Sequence, residues 1–380
     1  MHVTLHLTSR CNFRCRYCYA SRGTADMTPE IAEAAVRLAV ENSGRKNDDQ
    51  SIGIIFFGGE PLLRRDLIEH TVRYCRSLTA SSGQQFYFKI TTNGSLLDES
   101  FLTSDLTSEI FVALSHDGVA AAHDMNRVDE GGQPTHARLE RKILLLLEHR
   151  PYAPAMLVTT PQSVAHYADS VEYLYRAGFH YLICSLNYGC DWSMRDLKEL
   201  RFQYDRLADW YVRETCAEQK FYFSPFEVKI TSHIYPGSCE RERCELGKRQ
   251  ISVAPSGLLF PCVQFVGDGT LSEFSIGDVW SGLIEERRDA LYQRTAQEKE
   301  SCAECAIRSR CNHHCGCLNR QATGSLETVS PVLCAHERMT LEVADRVAEQ
   351  LYKRRAPMFI QKQYNELFPI VSMAEDRWRA

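Results

Sequence analysis

Sixteen cysteines constrain this 380-residue chain more than any other feature, because half of them crowd between Cys239 and Cys317. Cysteine-dense chains divide by compartment. Disulfide scaffolds belong to short exported domains, whereas clustered thiols in a reducing compartment bind metal. The N-terminus, Met-His-Val-Thr-Leu-His-Leu-Thr, has no basic or long apolar segment and reads as no secretory signal. The longest aliphatic run, Ile143 to Leu147, is far short of the roughly 20 residues that span a bilayer. A cytoplasmic protein without membrane contact is expected, its cysteines holding metal or iron–sulfur clusters. The formal charge of −5 leaves no basic field of the kind nucleic acid requires.

The first half alternates strand-like and helical runs. Val3–Leu7, Ile52–Phe57, Phe86–Thr91, Ile110–Leu114, Ala155–Thr159 and Tyr181–Leu186 read as strands. Pro29–Glu41, Arg65–Leu78, Glu99–Leu106, His136–His149, Val164–Ala177 and Met194–Ala217 read as the helices between and after them. Six βα units imply a parallel sheet with right-handed crossovers, either an open sheet or a partial (β/α)6 TIM-type barrel. In both, chemistry belongs at the carboxyl ends of the strands. After about Gln219 the character changes. Phe221–Thr231 looks like a strand, and Ile251–Ala254 turns through Pro255-Ser256-Gly257 into Leu258-Leu259-Phe260 as a hairpin. Helices follow at Leu283–Gln297 and about Glu337–Arg354. The expected division is an α/β core over residues 1–218, a Cys-rich domain over 219–336 and a helical segment over 337–380.

Cys11, Cys15 and Cys18 form a C-x3-C-x2-C loop directly after the first strand, followed by Tyr19. Three thiolates on one loop suit three corners of a [4Fe–4S] cube and leave one iron open. Structural zinc is the alternative, but it prefers four closed ligands. Gly58-Gly59-Glu60-Pro61 ends the second strand, Thr91-Thr92-Asn93-Gly94 the third and Ser115-His116-Asp117-Gly118 the fourth. Read alone, these are ordinary turns. Together with the Cys loop they resemble the radical S-adenosylmethionine (SAM) superfamily. That resemblance implies that the open iron chelates SAM, and that cleavage of the sulfonium yields methionine and a 5′-deoxyadenosyl radical that abstracts hydrogen from a substrate. It also implies SAM contacts from Tyr19, Gly58, Gly59, Glu60, Pro61, Asn93, Ser115 and Arg127. Glu60 would meet the methionyl ammonium, Ser115 the ribose and Arg127 the methionyl carboxylate. His116 stands where leucine is more usual, and no role is attached to it.

In the C-terminal half, Cys244 is followed after twelve residues by Gly257 and after four more by Cys262. Cys302-x2-Cys305-x5-Cys311-x3-Cys315 comes next, and Cys334 follows after eighteen intervening residues. Two zinc ribbons are the simplest alternative. The order resembles the SPASM domain, an auxiliary-cluster extension of radical SAM enzymes that act on peptides and proteins. Cys239 adds an eighth cysteine, as in the anaerobic sulfatase-maturating enzymes. The resemblance implies two auxiliary [4Fe–4S] clusters, one on Cys239, Cys244, Cys262 and Cys315 and the other on Cys302, Cys305, Cys311 and Cys334. Cys317, His313 and His314 crowd the same loop, and any of them is a candidate ligand. Cys75 lies on an apolar helix face and is expected in the core.

Fully Cys-ligated auxiliary clusters suit electron transfer: a substrate radical must lose a second electron to become a closed-shell product. Sulfatase-maturating enzymes carry an aspartate base directly after the cysteine equivalent to Cys262, where this chain has Val263 and Gln264. The favoured expectation is therefore a maturase of a ribosomally made peptide that installs a thioether or carbon–carbon cross-link. Formylglycine formation is the alternative, and a non-enzymatic zinc or iron–sulfur protein a third reading. Asp191, Cys190 and Cys184, around the end of the sixth strand, are weak candidates for a catalytic base or thiol facing the pocket. The expected partners are a peptide or protein substrate and a reductant such as flavodoxin or ferredoxin. With the first strand starting at Val3, no N-terminal winged-helix domain is expected, so substrate recognition is expected from the barrel mouth, the C-terminal tail or a separate leader-recognition protein.

Overall fold

The computed structural model describes residues 2–43, 51–238, 243–267 and 269–379. Strands β1 (His2–His6), β2 (Ser51–Phe57), β3 (Gln85–Thr92), β4 (Phe111–Ser115), β5 (Pro154–Thr159) and β6 (Tyr181–Leu186) run parallel in chain order, each joined to the next through a helical crossover. Their side chains alternate as the pleat requires. Val112 and Leu114 are buried under the helical layer, and Leu114 touches the space beside Gly94 that lies against Leu139 of the His136–His149 helix. Ser115 points to the opposite face, shared across the register with Met156 and then Ile183.

The sheet is longer than six strands. A short β7 (Tyr222–Phe223) pairs with β6, and a hairpin of β8 (Gln250–Val253) and β9 (Leu259–Phe260) joins the other end, giving the order β7-β6-β5-β4-β3-β2-β1-β8-β9. β8 is parallel to β1, pairing His2 with Gln250 and Leu5 with Val253, and so places the Cys-rich region against the first strand. Gly257 makes the hairpin turn at φ +88°, a conformation closed to most residues.

The expected strand over Phe221–Thr231 is corrected: only Tyr222–Phe223 is extended, and Ser224–Ile234 is helical. Pro225 in the first turn fixes a helical φ at no hydrogen-bond cost, since that amide would be unpaired anyway. The last long helix begins at Pro331, not near Glu337, with Ser330 accepting from the Leu333 amide as its cap, and it runs to Lys353. Cys334 therefore lies in the first turn of a helix. Cys75 is fully buried, as its helix face predicts. The tail folds as the helices Pro357–Tyr364 and Phe368–Arg379, with Phe359 buried. Among the described residues no helix is long and apolar enough to cross a membrane.

Two buried polar contacts fasten the Pro331–Lys353 helix to the α/β core. His336 accepts or donates on both ring nitrogens, to the Tyr188 hydroxyl at 2.6 Å and the Tyr204 hydroxyl at 2.7 Å. Lys229 meets Glu337 at 2.6 Å, with both side chains almost wholly buried. Breaking one partner of such a pair strands the other charge in a low-dielectric site. Lys229→Met should therefore lower stability by about 3–5 kcal/mol, read as the denaturant midpoint under anaerobic conditions, and the double change Lys229→Met with Glu337→Leu should recover much of the loss.

Candidate active site

The Cys11–Cys18 loop sits at the carboxyl end of β1 with little regular structure of its own, so neighbouring backbone must hold it. The Arg14 amide donates to the Val128 carbonyl at 2.7 Å and the Arg16 amide to Asn126 at 2.8 Å. From the other side, the Gly59 amide donates to Thr8 at 2.8 Å and the Glu60 amide to Arg10 at 2.9 Å. The contact is so close that a Cβ on Gly59 would lie 2.0 Å from the Arg10 carbonyl oxygen and 3.2 Å from the Cys11 Cβ. Glycine is required there by space, and at Gly58 also by φ of +125°. Arg10 and Thr8 both engage Asp26 at 2.5 Å, closing the base of the loop.

The three thiols lie within electrostatic reach of one another. Burial pushes the Cys11 thiol up to about 12, while the Phe13 amide, donating to its Sγ at 3.4 Å, acts in the opposite direction. Burial also raises Cys15, against which the nearby Arg127 favours the thiolate. A metal-free loop thus favours thiols, and binding iron must release their protons.

Glu60 is wholly buried, and its carboxylate is occupied by the chain itself. Oε1 accepts from the Leu62 amide at 3.0 Å and the Thr92 hydroxyl at 2.8 Å, and Oε2 accepts from the Asn93 amide at 2.8 Å. It cross-links the turn after β2 to the end of β3. Burial outweighs these bonds and lifts its carboxyl to about 7. Asn93 in turn donates to the Asn12 side chain at 2.8 Å, and so reaches the Cys loop.

Arg127 is buried, contrary to what a surface arginine would show. Its Nε lies 3.0 Å from Asp117 Oδ2, and its guanidinium stacks 5.3 Å from the centre of the Tyr17 ring. Asp117 also accepts from the Tyr17 hydroxyl at 2.6 Å and from the Val158 amide at 3.1 Å. Tyr17 belongs to the Cys loop, so this group ties the loop to β4 and β5. Sequence reading missed Asp117 and Tyr17 as site residues. The Asp-Gly turn signal concealed the first, and only its pairing with a buried arginine ten residues on would have exposed it. His116, left without a role by the sequence, packs on the other face of the same turn with His123 and His136, at ring distances of 4.2 and 5.2 Å.

The Cys-rich region gathers two sets of thiols. In the first, Cys244 and Cys317 each lie within electrostatic reach of Cys262 and Cys315, and that proximity raises Cys244 and Cys317 and lowers Cys315 and Cys262 from the usual thiol value. The expected fourth member, Cys239, lies outside the described residues. In the second set, Cys334 is within electrostatic reach of Cys302, Cys305 and Cys311. Arg338 donates to Cys305 Sγ at 3.3 Å. Among the described residues no three or more His, Cys, Asp or Glu side chains form a group that could hold a single metal ion. An iron–sulfur cube is held differently, by thiolates on its separate irons. The donor chemistry of both sets and of the Cys11–Cys18 loop fits such cubes. Tyr19 stands between the regions, within electrostatic reach of Cys18, Cys262 and Cys317.

The three weak catalytic candidates do not converge. Register pairs Cys184 with Leu157 on the helix-facing side of the sheet, where the thiol contacts the Tyr167 hydroxyl. The expectation that it faces the pocket is therefore corrected: period-two alternation puts Ile183 and Ser185, not Cys184, on the Ser115 face. Asp191 is exposed, and Cys190 packs in part against the core.

Residues 5–149 match the family model described as Radical SAM superfamily. The chain is 26% identical over 184 residues to the cysteine-type anaerobic sulfatase-maturating enzyme of Clostridium perfringens, covering 46% of this chain and 48% of that one. It is 24% identical over 385 residues to the PqqA peptide cyclase of Granulibacter bethesdensis, covering 96% of this chain and 94% of that one. The chain spans 59% of an uncharacterised Methanocaldococcus jannaschii relative at 30% identity, so only part of some relatives is represented. The fold is similar to the solved structure of native anSMEcpe with bound AdoMet and the Cp18Cys peptide, at a TM-score of 0.77 and 19% identity, covering 93% of this chain and 99% of that one.

Because the native Glu60 carboxyl, at about 7, holds its proton more tightly than a free one at about 4.5, its contribution to stability is full below pH 4.5 and is lost as pH rises through 7. Between pH 5 and 8, wild-type stability should fall relative to Glu60→Gln, a difference that paired denaturation curves across that range would measure.

Proposed function

We infer that this chain, whose residues 5–149 are a radical SAM domain, is an enzyme that modifies a ribosomally made peptide by forming a thioether or carbon–carbon cross-link. Its N-terminal Cys loop is assigned the SAM-binding [4Fe–4S] cluster, and the two C-terminal thiol sets are assigned auxiliary [4Fe–4S] clusters. SAM bound to the first cluster supplies the 5′-deoxyadenosyl radical. The remaining work falls to the chain. The Gly58-Gly59 backbone gives the methionyl end close approach, and Ser115 meets the ribose from the face opposite the helices. Arg127, held from one edge by Asp117, turns its other edge to the methionyl carboxylate. Tyr19, Pro61 and Asn93 complete the surround. Glu60 is assigned a positioning task, since its oxygens already serve Leu62, Thr92 and Asn93.

Cross-linking removes two hydrogens from the peptide. One leaves as an atom to the deoxyadenosyl radical. The second would leave as a proton and an electron that an auxiliary cluster on the C-terminal thiols could accept, while a reductant such as flavodoxin or ferredoxin would supply the electron that SAM cleavage consumes. The observation that carries this reading over formylglycine formation is Val263, which follows Cys262 and packs its apolar side chain against the core. A general base there is replaced by a hydrocarbon. Similarity to a peptide cyclase along nearly the whole chain supports the same reading. The sulfatase-maturase alternative keeps support from its own relatives. The proposed layout is a SAM core over 1–218, an auxiliary domain over 219–336 and a helical segment over 337–380.

Reconstituted anaerobically with iron and sulfide, then given SAM and dithionite, the protein should release 5′-deoxyadenosine. Replacing Cys11, Cys15 and Cys18 together by Ala should abolish it. With a genomically neighbouring peptide, mass spectrometry should find a product two hydrogens lighter. Iron-replete protein that yields no deoxyadenosine would overturn the reading.

A further inference from the structure

We propose that the open face of the sheet seats the peptide substrate, and that Lys89 on β3 recognises an Asp or Glu carboxylate within it. The inference rests on the peptide-modifying reading above and names a specificity element for it. On β3 to β6 the helix-facing side chains, such as Ile90 and Leu157, are buried. Alternate positions face the other way. There Lys89, Met156 and Ile183 are only half-buried, and Phe111 and Tyr181 are 42% and 41% exposed. Register pairs Lys89 with Phe111, and Ser115 lies on the same face four residues further along β4. Lys89 therefore belongs to the surface that ends at the assigned ribose contact. At about 3.3 Å per residue the two levels are about 13 Å apart, which an extended peptide lying along the strands covers in about four residues.

The lysine is held from below by an aromatic ring. Gly53 pairs with Tyr87 across β2 and β3, and a Cβ on Gly53 would lie 2.6 Å from the Tyr87 ring, so glycine lets that ring lie against β2. The Tyr87 hydroxyl meets His2 Nε2 at 3.0 Å, which fixes the ring at its far end. The Lys89 ammonium stands 5.4 Å from the centre of this ring. A ring face favours a cation but leaves its donors unused. An ammonium carries three donors, and among the described residues Lys89 makes no hydrogen bond or ion pair. Lys229, by contrast, is matched to Glu337. A half-buried ammonium has given up part of its water, and a counter-charge would compensate it. The missing partner is thus an anion, and it must arrive with groups that suit Phe111, Met156 and Tyr181. A peptide segment with one carboxylate among apolar side chains meets both demands. Since the whole chain carries a formal charge of −5, the carboxylate is recognised locally and not by a general positive field.

The test selects peptides from a randomised display library on the full-length protein, reconstituted anaerobically and supplied with SAM. Wild type, Lys89→Met and Lys89→Glu are run in parallel, with iron content and circular dichroism to report loading and folding. Wild type should select peptides with Asp or Glu at one position among apolar residues. Lys89→Met should lose that acidic position, and Lys89→Glu should replace it by Lys or Arg. In selected peptides that are turned over, the acid should lie about four residues from the modified residue. Changing that acid to its amide should raise the peptide KM of wild type about ten- to hundredfold with kcat little altered, and should leave the KM of Lys89→Met unmoved. A wild-type consensus without an acid, the same consensus from all three proteins, or no selected peptide would overturn the proposal, as would an acid adjacent to the modified residue. Failure of the functional reading is separate: it would show as acidic peptides that bind through Lys89 and emerge with no loss of mass.

Discussion

The structure depends on holding an irregular loop still. Cys11, Cys15 and Cys18 must present their thiols at fixed corners, yet the loop has almost no hydrogen bonds of its own to do so. Its amides are instead spent on Val128 and Asn126 on one side, and on the other the carbonyls of Thr8 and Arg10 accept from the amides of the Gly58–Glu60 turn. Backbone groups cannot be mutated away, so this arrangement fixes position independently of side-chain choice. The glycines at 58 and 59 are the consequence, because only a residue without a Cβ lets two chain segments touch at that distance.

Around that contact lies a shell of buried charge. Glu60 and Asp117 each accept three or more interactions from different segments, and each ties together strand ends that carry site residues. Buried carboxylates are costly unless their acceptor sites are filled, so each of these enforces a specific geometry. The single fully buried guanidinium of the site, Arg127, is held by Asp117 on one edge and by the Tyr17 ring over its face. The carboxyl ends of β2 to β5 are thereby locked to the Cys loop.

Much of this was legible in the sequence, and for identifiable reasons. Parallel strands buried on both faces read as apolar runs, so β2 to β6 stand close to where they were expected. The motif turns mark the carboxyl ends of β1 to β4 in order. The parts that were not legible are those set by tertiary contact. The run after Lys220 is rich in strand formers, but Pro225 and packing against the Pro331–Lys353 helix turn it helical. Cys184 was placed by its position in the chain, and only the register with Leu157 shows which face it occupies. Asp117 looked like a turn residue because its partner is brought to it by the fold, and Glu60 looked available to a ligand because two of its three donors, Thr92 and Asn93, are distant in sequence.

The parallel pairing of β8 with β1 bears on how the chain is made. One edge of β1 is covered by β2, made about 50 residues later. The other edge waits for residues about 250 positions downstream. Until those residues are made, the strand that leads into the Cys11–Cys18 loop presents an open row of amides and carbonyls, a template for mispairing with any extended segment nearby. Vectorial synthesis therefore sets a schedule: the N-terminal thiols emerge into the cell long before the hairpin that closes the sheet beside them.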